Sequence, residues 1–520
     1  MRWASVGLDR RQAVLFPERL DEAVPAGHPV RLLDEVLGRL DWSTWEAAYD
    51  DVPYGRPPIH PRLLASIILY GLLVKIRASR KLEAALTERI DFRWLAEGSS
   101  IDHATLCEFR VRHAAALSEL FVKVSLVAQQ AMLSPLKRLA FDGTRIKASN
   151  HRHRSLTPAK LREIEAELAE KFAAYERQAG LEDAAAVRSE DLPQELQDLQ
   201  RRAAQIEGAL EELHRLEQAD APLPKRIPLT DPESRITPNK EGGFAANYTP
   251  LAGVDVDSGL IVTGDVITGT DEEQHLVAAV KHVEEQFGEK PETVLADGLF
   301  ATGANLEKLD EQDVTLYSPS GQPDPETNPA IREDLTRPVP ADQHERLPTK
   351  KVKGGGRQLD KAAFVYDEES DCYRCPQGRP LTRKQTTTDR RKDGTKIKRT
   401  RYEADAAHCA ECPLKAMCLS GKAQARQISR DQFEPHREAL AARMATPEGQ
   451  QTYAQRRAVG ERPFAVIKQH FGVRQFLLRG LDRVRQEWRW LMIAFNLKKL
   501  LHVLQARAGP ASSPAGPPAG

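Results

Sequence analysis

The chain has 520 residues, a length that predicts several domains rather than one. Hydrophobic residues make up 41% and charged residues 29%, which excludes a protein made mainly of membrane helices and a fully disordered chain. The 75 Lys and Arg residues equal the 75 Asp and Glu residues in number, so the net charge is zero and only a local concentration of charge could select an ionic partner.

Two segments bear on the cellular compartment. The longest apolar run, 63–74, is much shorter than the ~20 residues that a membrane helix requires. Residues 1–20 carry scattered charges and lack the apolar segment of a secretory signal. We therefore expect a cytosolic protein without a membrane partner, in which clustered cysteines are more often metal ligands than disulfides.

Residues 1–132 are predicted to form a helical N-terminal domain. Apolar residues recur at helical spacing after Pro61, and shorter amphipathic segments follow near Leu82 and Leu106. Short helices with basic connections are typical of a helix-turn-helix module, in which Arg77 and Arg80 would contribute to the choice of DNA sequence. The same pattern also fits a helical bundle with solvated basic faces.

The region 133–318 alternates strand and helix patterns and predicts a mixed α/β sheet. A long helical hairpin with an acidic surface is predicted as an insertion at 156–220. Strands are predicted at 139–141, 251–256, 260–267, 293–296 and 314–317, and helices at 272–287 and 303–311.

The remaining chain divides into three predicted parts. Residues 319–428 form a linker followed by a cysteine-rich, basic insertion. Residues 429–508 are helical, most clearly at 483–505, where apolar residues follow one helix face. Residues 509–520 are rich in Pro and Gly and are expected to be a disordered tail.

Two aspartates occupy equivalent positions in this pattern. Asp142 and Asp297 each end an apolar strand, and each precedes a glycine. Carboxylates at the carboxyl ends of neighbouring strands converge in one crevice, where they repel each other unless a cation lies between them. Mg²⁺ prefers such carboxylates together with phosphate oxygens. The alternative for each Asp-Gly pair is an ordinary turn.

A third carboxylate, Glu461, lies in the basic segment 453–468. In a continuous helix, Arg457 and Lys468 share a face with Glu461, which suits a metal ligand beside phosphate-binding cations. The alternative is an ordinary Arg–Glu pair on a helix surface. Pro463 fits only the first turn of a helix, so a helix must begin near Glu461 or kink there.

Five of the six cysteines fall in one short region. Cys372 and Cys375 form one CxxC pair, Cys409 and Cys412 form a second, and Cys418 follows. Two such pairs closing on one ion are typical of a tetrahedral zinc site, for which five thiols are one too many. The alternative is a set of reduced thiols without a metal.

The stretch 379–401 between the cysteine pairs is rich in Lys and Arg. We predict a basic loop in which Arg390, Arg391 and Lys392 contact the DNA backbone. The alternative is a solvated, flexible loop. Residues 456–499 are also basic, so the zero net charge conceals an acidic hairpin, a basic insertion and a basic C-terminal face.

Three segments together resemble the DDE transposases of bacterial insertion sequences. They are FDGTRIKASN at 141–150, LADGLFATGANLEKL at 295–309, and the C-terminal run at 453–500 that begins YAQRRAVGERPFAVIK. The resemblance is to the eleven-eighty-two group, which is related to the insertion-sequence four and five types. The helical region 57–92 is similar to the N-terminal domain of that group.

The resemblance implies a ribonuclease-H-like mixed sheet core with two insertions, the helical hairpin and the cysteine-rich region. It further implies a triad that holds two Mg²⁺ (or Mn²⁺) ions, and a Tyr-Arg-Glu-Lys signature whose cations bind DNA phosphates. The triad falls on Asp142, Asp297 and Glu461, and the signature on Tyr453, Arg456 or Arg457, Glu461 and Lys468.

The resemblance also bears on the zinc ligands. A Cys-Pro-x-Gly motif in the resembled group matches Cys375, which implies the ligand set Cys375, Cys409, Cys412 and Cys418. The spacing alone prefers Cys372 in place of Cys375. Both sets remain open from the sequence.

The implied function is a DNA transposase that cleaves the ends of its element and transfers them to target DNA. Its partner would be double-stranded DNA, both inverted-repeat ends and target, bound by a homodimer in the bacterial cytoplasm on the nucleoid. Two alternatives remain: a metal-dependent nuclease on the same core, and a zinc-containing DNA-binding protein, derived from a transposase, that no longer cuts.

Overall fold

The structure is a computed structural model that describes residues 19–49, 58–150, 154–179, 194–239, 242–323, 325–352, 356–390 and 394–508. The predicted tail 509–520, Arg391 and Lys392 lie outside the described residues. The chain forms two compact units. The first takes its described residues from Met1–Pro135, Gly143–Thr270 and Glu461–Gly520, and the second from Leu136–Asp142 and Asp271–Gly460.

The N-terminal part of the first unit is helical, as predicted. Pro61 occupies the first turn of its most apolar helix, where its missing N–H costs no hydrogen bond, and the His60 side chain caps the same end. The helices are α1 (Pro29–Gly38), α2 (Ser43–Glu46), α3 (Pro61–Leu73), α4 (Ser79–Glu88), α5 (Ile90–Leu95), α6 (His103–Arg112) and α7 (Ala114–Met132).

The first unit also contains an antiparallel sheet centred on one long strand, β6. It pairs with β7 from Thr249↔Ile267 to Val254↔Ile261, which confirms the predicted β-hairpin. It also pairs with β2 and β5. In chain order these strands and two short ones are β2 (Ile146–Lys147), β3 (Ser155–Leu156), β4 (Ile227–Pro228), β5 (Arg235–Pro238), β6 (Phe244–Asp255) and β7 (Ile261–Ile267).

The predicted helical hairpin is present as α8 (Pro158–Ala179) and α9 (Gln194–Gln218). The two helices bury one apolar seam against each other because their Leu and Ile residues recur three and four positions apart. The seam contains Leu161, Ile164, Leu168, Ile206, Ala209, Leu210 and Leu213. The turn predicted between the helices lies outside the described residues.

The end of the described chain supplies the core of the first unit. Helix α16 (Arg462–Gln469) precedes α17 (Leu481–Ala508), which packs on α3, α7 and β7. Asn496, fully buried, donates to the Ile261 carbonyl at 2.7 Å and to Ser125 Oγ at 2.9 Å, so one amide ties α17 to β7 and α7. Among the described helices, none is long and apolar enough to cross a membrane.

Arg77 has a different role from the one expected of it. Its guanidinium donates to the carbonyl oxygens of Gly472 and Gln475 and pairs with Glu487 at 2.8 Å, all within the first unit. It is therefore engaged in packing rather than available to DNA bases, which corrects the expectation from its place in a basic connection. Arg80 is exposed.

The second unit has a three-stranded parallel sheet in the order β1, β8, β9. Helices follow these strands, as the predicted alternation required, and confirm a mixed α/β fold. The elements are β1 (Arg138–Gly143), α10 (Leu276–Phe287), β8 (Thr293–Leu295), α11 (Gly303–Asp310), β9 (Thr315–Tyr317), α14 (Glu434–Ala445) and α15 (Pro447–Gly460).

The cysteine-rich region of the second unit is a small sheet around its own apolar core. The strands run antiparallel in the order β12 to β16, beside a hairpin of β10 and β11. Within the stretch 379–401, predicted as a loop, the described residues 380–390 and 396–401 belong to two long paired strands. The elements are β10 (Thr349–Lys351), β11 (Arg357–Leu359), β12 (Val365–Asp367), β13 (Cys372–Arg374), β14 (Pro380–Arg390), β15 (Lys396–Ala404), α12 (Ala406–Ala410), α13 (Lys415–Cys418) and β16 (Gln427–Asp431).

Candidate functional site

The register of β1 and β8 places two aspartates side by side in the second unit. The strands are parallel, with Ala140 opposite Leu295. Asp142 and Asp297 each lie two residues beyond this pair, so they leave the same edge of the sheet on the same side. Their neighbours Phe141 and Phe300 pack edge to face, with ring centroids 5.3 Å apart, and hold the two chain segments together.

One cation bridges the two carboxylates. Arg456 Nη2, from α15, lies 3.2 Å from Asp142 Oδ1 and 3.8 Å from Asp297 Oδ2. The side chains of Arg456 and Asp142 are 12% and 10% exposed, whereas that of Asp297 is 43% exposed, so the pair opens toward solvent on the Asp297 side. Two carboxylates that share one cation avoid the repulsion that would otherwise protonate one of them.

Asp297 has a further hydrogen bond that fixes its direction. Its Oδ1 accepts from the Leu299 N–H at 2.9 Å, in a short turn that follows β8. The Asp297 carbonyl accepts from Ser318 Oγ at 2.8 Å, which ties the turn to the end of β9. The exposed carboxylate is thus oriented by the backbone before any ligand binds.

Helix α15 is held against the sheet by contacts on either side of Arg456. Arg138 Nη1, at the start of β1, donates to Gln455 Oε1 at 2.9 Å. Gly460, one turn after Arg456, lies so close that an added Cβ would be 3.7 Å from Ala140 Cβ and 3.9 Å from Asp142 Cβ. The helix therefore presents Arg456, and not the exposed Arg457, to the aspartates. This separates two assignments that the sequence left open.

The other predicted site residues have the following positions. Glu461 directly follows Gly460, begins the first-unit segment that carries α16, and is exposed. Pro463 occupies the first turn of α16, as the sequence required. Lys468 Nζ donates to Thr144 Oγ1 at 2.6 Å within the first unit. Tyr453, in α15, is half-buried.

Two residues of this arrangement were not predicted from the sequence. Thr144 holds Lys468, and Arg138 holds Gln455 and thereby α15. Thr144 could have been suspected because it follows Asp142 and Gly143 directly at the end of β1. Arg138 carries no such signal, since a cation at the start of a strand is ordinary surface chemistry.

The thiols divide into a group of four and one apart. Cys375, Cys409, Cys412 and Cys418 pack against the apolar core of the cysteine-rich region. Burial raises the pKa of the Cys375 thiol, and the nearby Cys412 and Cys409 raise it further. Burial also raises the pKa of Cys418 to about 12. The positive charge of Arg426 acts to lower this pKa, and the other three thiols act to raise it.

Cys372 lies elsewhere in the same region. It is buried in β13, opposite Thr382 of β14. Burial raises the pKa of its thiol as well, but the charged neighbours that act on it are Arg374, Asp367 and Asp371 rather than another cysteine. The structure therefore groups Cys375, not Cys372, with the later cysteines. His408, which directly precedes Cys409, is exposed.

The two sets of potential metal ligands are carboxylates at the sheet edge and thiols in the cysteine-rich region. In the described parts of the chain, no group of three or more His, Cys, Asp or Glu side chains is arranged as a metal ion requires. Asp142 and Asp297 nevertheless converge on one cation, and carboxylate oxygens are the donors that Mg²⁺ and Mn²⁺ prefer. The four grouped thiols have the chemistry of a zinc site, although they do not surround a common point.

The predicted DNA-contacting residues of the basic stretch can be placed only in part. Arg390 ends β14 and is exposed. Arg391 and Lys392 lie outside the described residues.

Two family models match the chain. Residues 374–501 match a family described as Transposase DDE domain, and residues 18–112 match one described as Transposase domain (DUF772). Together they indicate the domain architecture of a DDE-type transposase, which confirms the predicted resemblance at that level and not the particular insertion-sequence group. Neither a search of curated proteins nor a search of solved structures found a match to the chain.

Proposed function

We propose that the protein is a DNA transposase that cleaves the ends of an insertion sequence and joins them to target DNA. The observation that carries the proposal is the juxtaposition of Asp142 and Asp297 around one cation, at the open edge of a parallel sheet. The transposase DDE match, which covers Glu461 but not the two aspartates, supports the class of function because it indicates a nucleic-acid-cleaving enzyme.

Asp142, Asp297 and Glu461 would hold two Mg²⁺ or Mn²⁺ ions. Bound there, such ions supply an activated water and charge stabilisation for the phosphoryl group being transferred. Asp297 is the more exposed of the two aspartates and has its carboxylate already oriented by Leu299. Glu461 is proposed as the third ligand because it follows Gly460, whose backbone packs beside Asp142.

Arg456 has the role of a resident cation. Its guanidinium neutralises Asp142 and Asp297 in the absence of metal, and must withdraw from them when a divalent ion arrives. Since α15 keeps it near the carboxylates, it can then contact a DNA phosphate. Lys468, oriented by Thr144, and the exposed Arg457 would hold further phosphates.

The proposed reaction has two phosphoryl transfers. In the first, a water oxygen bonds to phosphorus at the element end and the bond to the 3′ oxygen breaks, leaving a free 3′-OH. In the second, that 3′-OH attacks a target phosphodiester, and a target 3′-OH leaves. No bond between protein and DNA forms, so the chain's residues serve to position, neutralise and move protons.

The proposal extends to the fold and assembly. We infer a ribonuclease-H-like core from the parallel strands β1, β8 and β9 with their helices and from the antiparallel β6–β7 hairpin, each within its unit. Double-stranded DNA, as inverted-repeat ends and as target, is the proposed partner, bound by a homodimer. The proposed location is the bacterial nucleoid.

A structural zinc ion is proposed for the cysteine-rich region. The ligands would be Cys375, Cys409, Cys412 and Cys418, the four thiols that the structure groups on one core. They would have to lose their protons and draw together, because zinc binds thiolates. Cys372, in its separate position on β13, would stay a free thiol.

The decisive experiment is a cleavage and joining assay with the full chain. Duplex DNA carrying the inverted repeats that flank the gene is incubated with the protein and Mg²⁺, with and without a target plasmid. A transposase yields 3′-OH ends at the repeats and then joined products. Cleavage without joining would identify a nuclease, and binding without cleavage would identify a DNA-binding protein, so either result contradicts the proposal.

A further inference from the structure

Strands β14 and β15 form a two-stranded ribbon that extends past its neighbours. Strand β13 pairs with β14 only at 380–382, and β16 pairs with β15 only at 399–403. Beyond these limits β14 and β15 continue to pair with each other as far as Arg390↔Lys396. At this end of the ribbon, near Arg390 and Lys396, no third strand among the described residues pairs with β14 or β15.

The pairing register sorts the ribbon's side chains onto two faces. Directly opposed residues share a face, and the face alternates along each strand. The first face, here called the lysine face, carries Thr386, Thr388, Arg390, Lys396, Lys398 and Thr400. The second face, here called the aspartate face, carries Gln385, Thr387, Asp389, Ile397, Arg399 and Arg401.

The two faces differ in charge although both contain cations. The lysine face has three cations and three threonines, and none of its six residues is acidic. On the aspartate face, Asp389 pairs with Arg399 at 3.0 Å, and Ile397 is buried at 3% exposure. The six residues of the lysine face thus carry three positive charges and no negative one, whereas on the aspartate face one of the two arginines is paired with an aspartate.

The lysine face also has the shape that a polyanion needs. Its threonines are short, and the hydroxyls of Thr386 and Thr400 lie 3.0 Å apart across the strands, so the centre of the face is low and polar. Arg390, Lys396 and Lys398 are exposed toward the end of the ribbon. Threonine hydroxyls and basic side chains are both common donors to DNA phosphates.

We infer that the lysine face of the ribbon lies against the phosphate backbone of double-stranded DNA, with the aspartate face turned away. A two-stranded ribbon fits the major groove of B-form DNA, which brings both phosphate walls within reach of Arg and Lys side chains. This inference rests on the proposed function, in that duplex DNA is the substrate. The inference assigns the DNA contact to one face of the ribbon, whereas the basic composition of the stretch does not distinguish the two faces.

The test uses two double variants of the full chain that are matched in strand and in charge. Lys396→Gln with Lys398→Gln removes two cations from the lysine face of β15, and Arg399→Gln with Arg401→Gln removes two from the aspartate face. Binding of a labelled duplex without inverted repeats is titrated at several salt concentrations. Each lost phosphate contact makes the negative slope of log K against log salt shallower by about 0.9.

We expect the lysine-face variant to lose about 1.8 of that slope and to bind roughly tenfold more weakly at low salt, whereas the aspartate-face variant keeps the slope of the unmodified chain. Replacing Lys396 and Lys398 by Arg should preserve the slope, because the charges remain. Equal effects of the two variants, or no effect of either, would overturn the inference.

The outcome separates this inference from the proposed function. If the unmodified chain cleaves and joins DNA while both double variants bind alike, the face assignment is wrong and the function stands. If the lysine-face variant alone binds weakly but no duplex end is ever cleaved, the face assignment stands and the function fails. Binding of the duplex by none of the proteins overturns both.

Discussion

The second unit contains two candidate metal sites that neutralise their charge in different ways. At the sheet edge, the guanidinium of Arg456 lies between the carboxylates of Asp142 and Asp297 and offsets their negative charge. In the cysteine-rich region, burial raises the pKa of the Cys375 and Cys418 thiols, so these two groups hold their protons more firmly than an exposed thiol does.

This difference determines what a metal ion must displace. A divalent ion at the aspartates competes with an arginine, whose charge does not depend on pH in the usual range. A zinc ion at the cysteines competes with protons, so its binding must release them and weaken as the pH falls. If both proposed sites bind metal, the first would suit an ion that enters and leaves with the substrate, and the second a permanent one.

The largest effect is expected at the aspartates. Asp142→Asn should lower the rate of DNA end cleavage by about 10³-fold or more, because it removes a charged metal ligand. Binding of end DNA should stay within about twofold of the unmodified protein. The matched control is Asp342→Asn, an exposed aspartate of the same unit. Thermal unfolding of each variant separates lost chemistry from lost folding, and cleavage by a folded Asp142→Asn protein would remove this residue from the site.

The zinc site is tested by single Cys→Ser variants. The purified protein should contain about one zinc per chain, and Cys375→Ser or Cys418→Ser should lose it together with thermal stability, since structural zinc contributes to folding. Cys372→Ser is the matched control, because it lies in the same sheet but apart from the other thiols. Elemental analysis of the purified proteins decides the matter, and zinc loss in Cys372→Ser with retention in Cys375→Ser would reverse the ligand assignment.

A smaller effect is expected from the resident arginine. Arg456→Gln should raise the affinity for Mn²⁺ in the absence of DNA by about tenfold, because two close carboxylates are left without a cation. Arg457→Gln, one residue away and exposed, should leave the affinity unchanged. Mn²⁺ binding is measured by electron paramagnetic resonance. Unchanged or weaker binding in Arg456→Gln would show that this arginine does not compete with the metal.

The smallest effect concerns the pH dependence of stability without zinc. The pKa of Cys418 is raised to about 12 in the folded chain and is about 8.5 when unfolded. Between these values the unfolded chain has lost this proton and the folded chain has kept it, so stability falls as the pH rises.

Melting temperatures of chelator-treated protein at pH 7.5 to about 10 measure this slope. In Cys418→Ser treated in the same way, the melting temperature should fall less steeply with pH. The difference between the two proteins separates the contribution of this thiol from that of other groups that lose protons in alkaline solution. Equal slopes for the two proteins would show that Cys418 is not the group responsible.

Much of the aspartate site followed from the sequence because it depends on local patterns. Two apolar segments, each followed by Asp-Gly, indicate that Asp142 and Asp297 lie at strand ends. The parallel register of β1 and β8 then places the two residues side by side. The choice between Arg456 and Arg457 could not be made in that way. It depends on the rotation of α15 about its axis, which is set by its contacts with the distant strand β1, through Arg138 and through the close approach of Gly460.

The basic ribbon was missed for a different reason. Most residues of β14 and β15 are polar or charged, and apolar residues do not recur at every second position. The alternation of apolar and polar residues that normally indicates a strand is therefore absent. The strands are stabilised by pairing with each other and with β13 and β16 instead. The packing of Arg77 was hidden too, because its acceptors lie about 400 residues further along the chain.

The position of α17 in the first unit sets the order in which the nascent protein can fold. Helix α3 ends at Leu73, but the helix that covers it begins at Leu481, about 400 residues later on the ribosome. At roughly 5–20 residues per second, the N-terminal helices wait some 20–80 s for their main packing partner. Over that interval the apolar face of α3 is open to solvent, and we expect it to be the part of the newborn chain that chaperones bind.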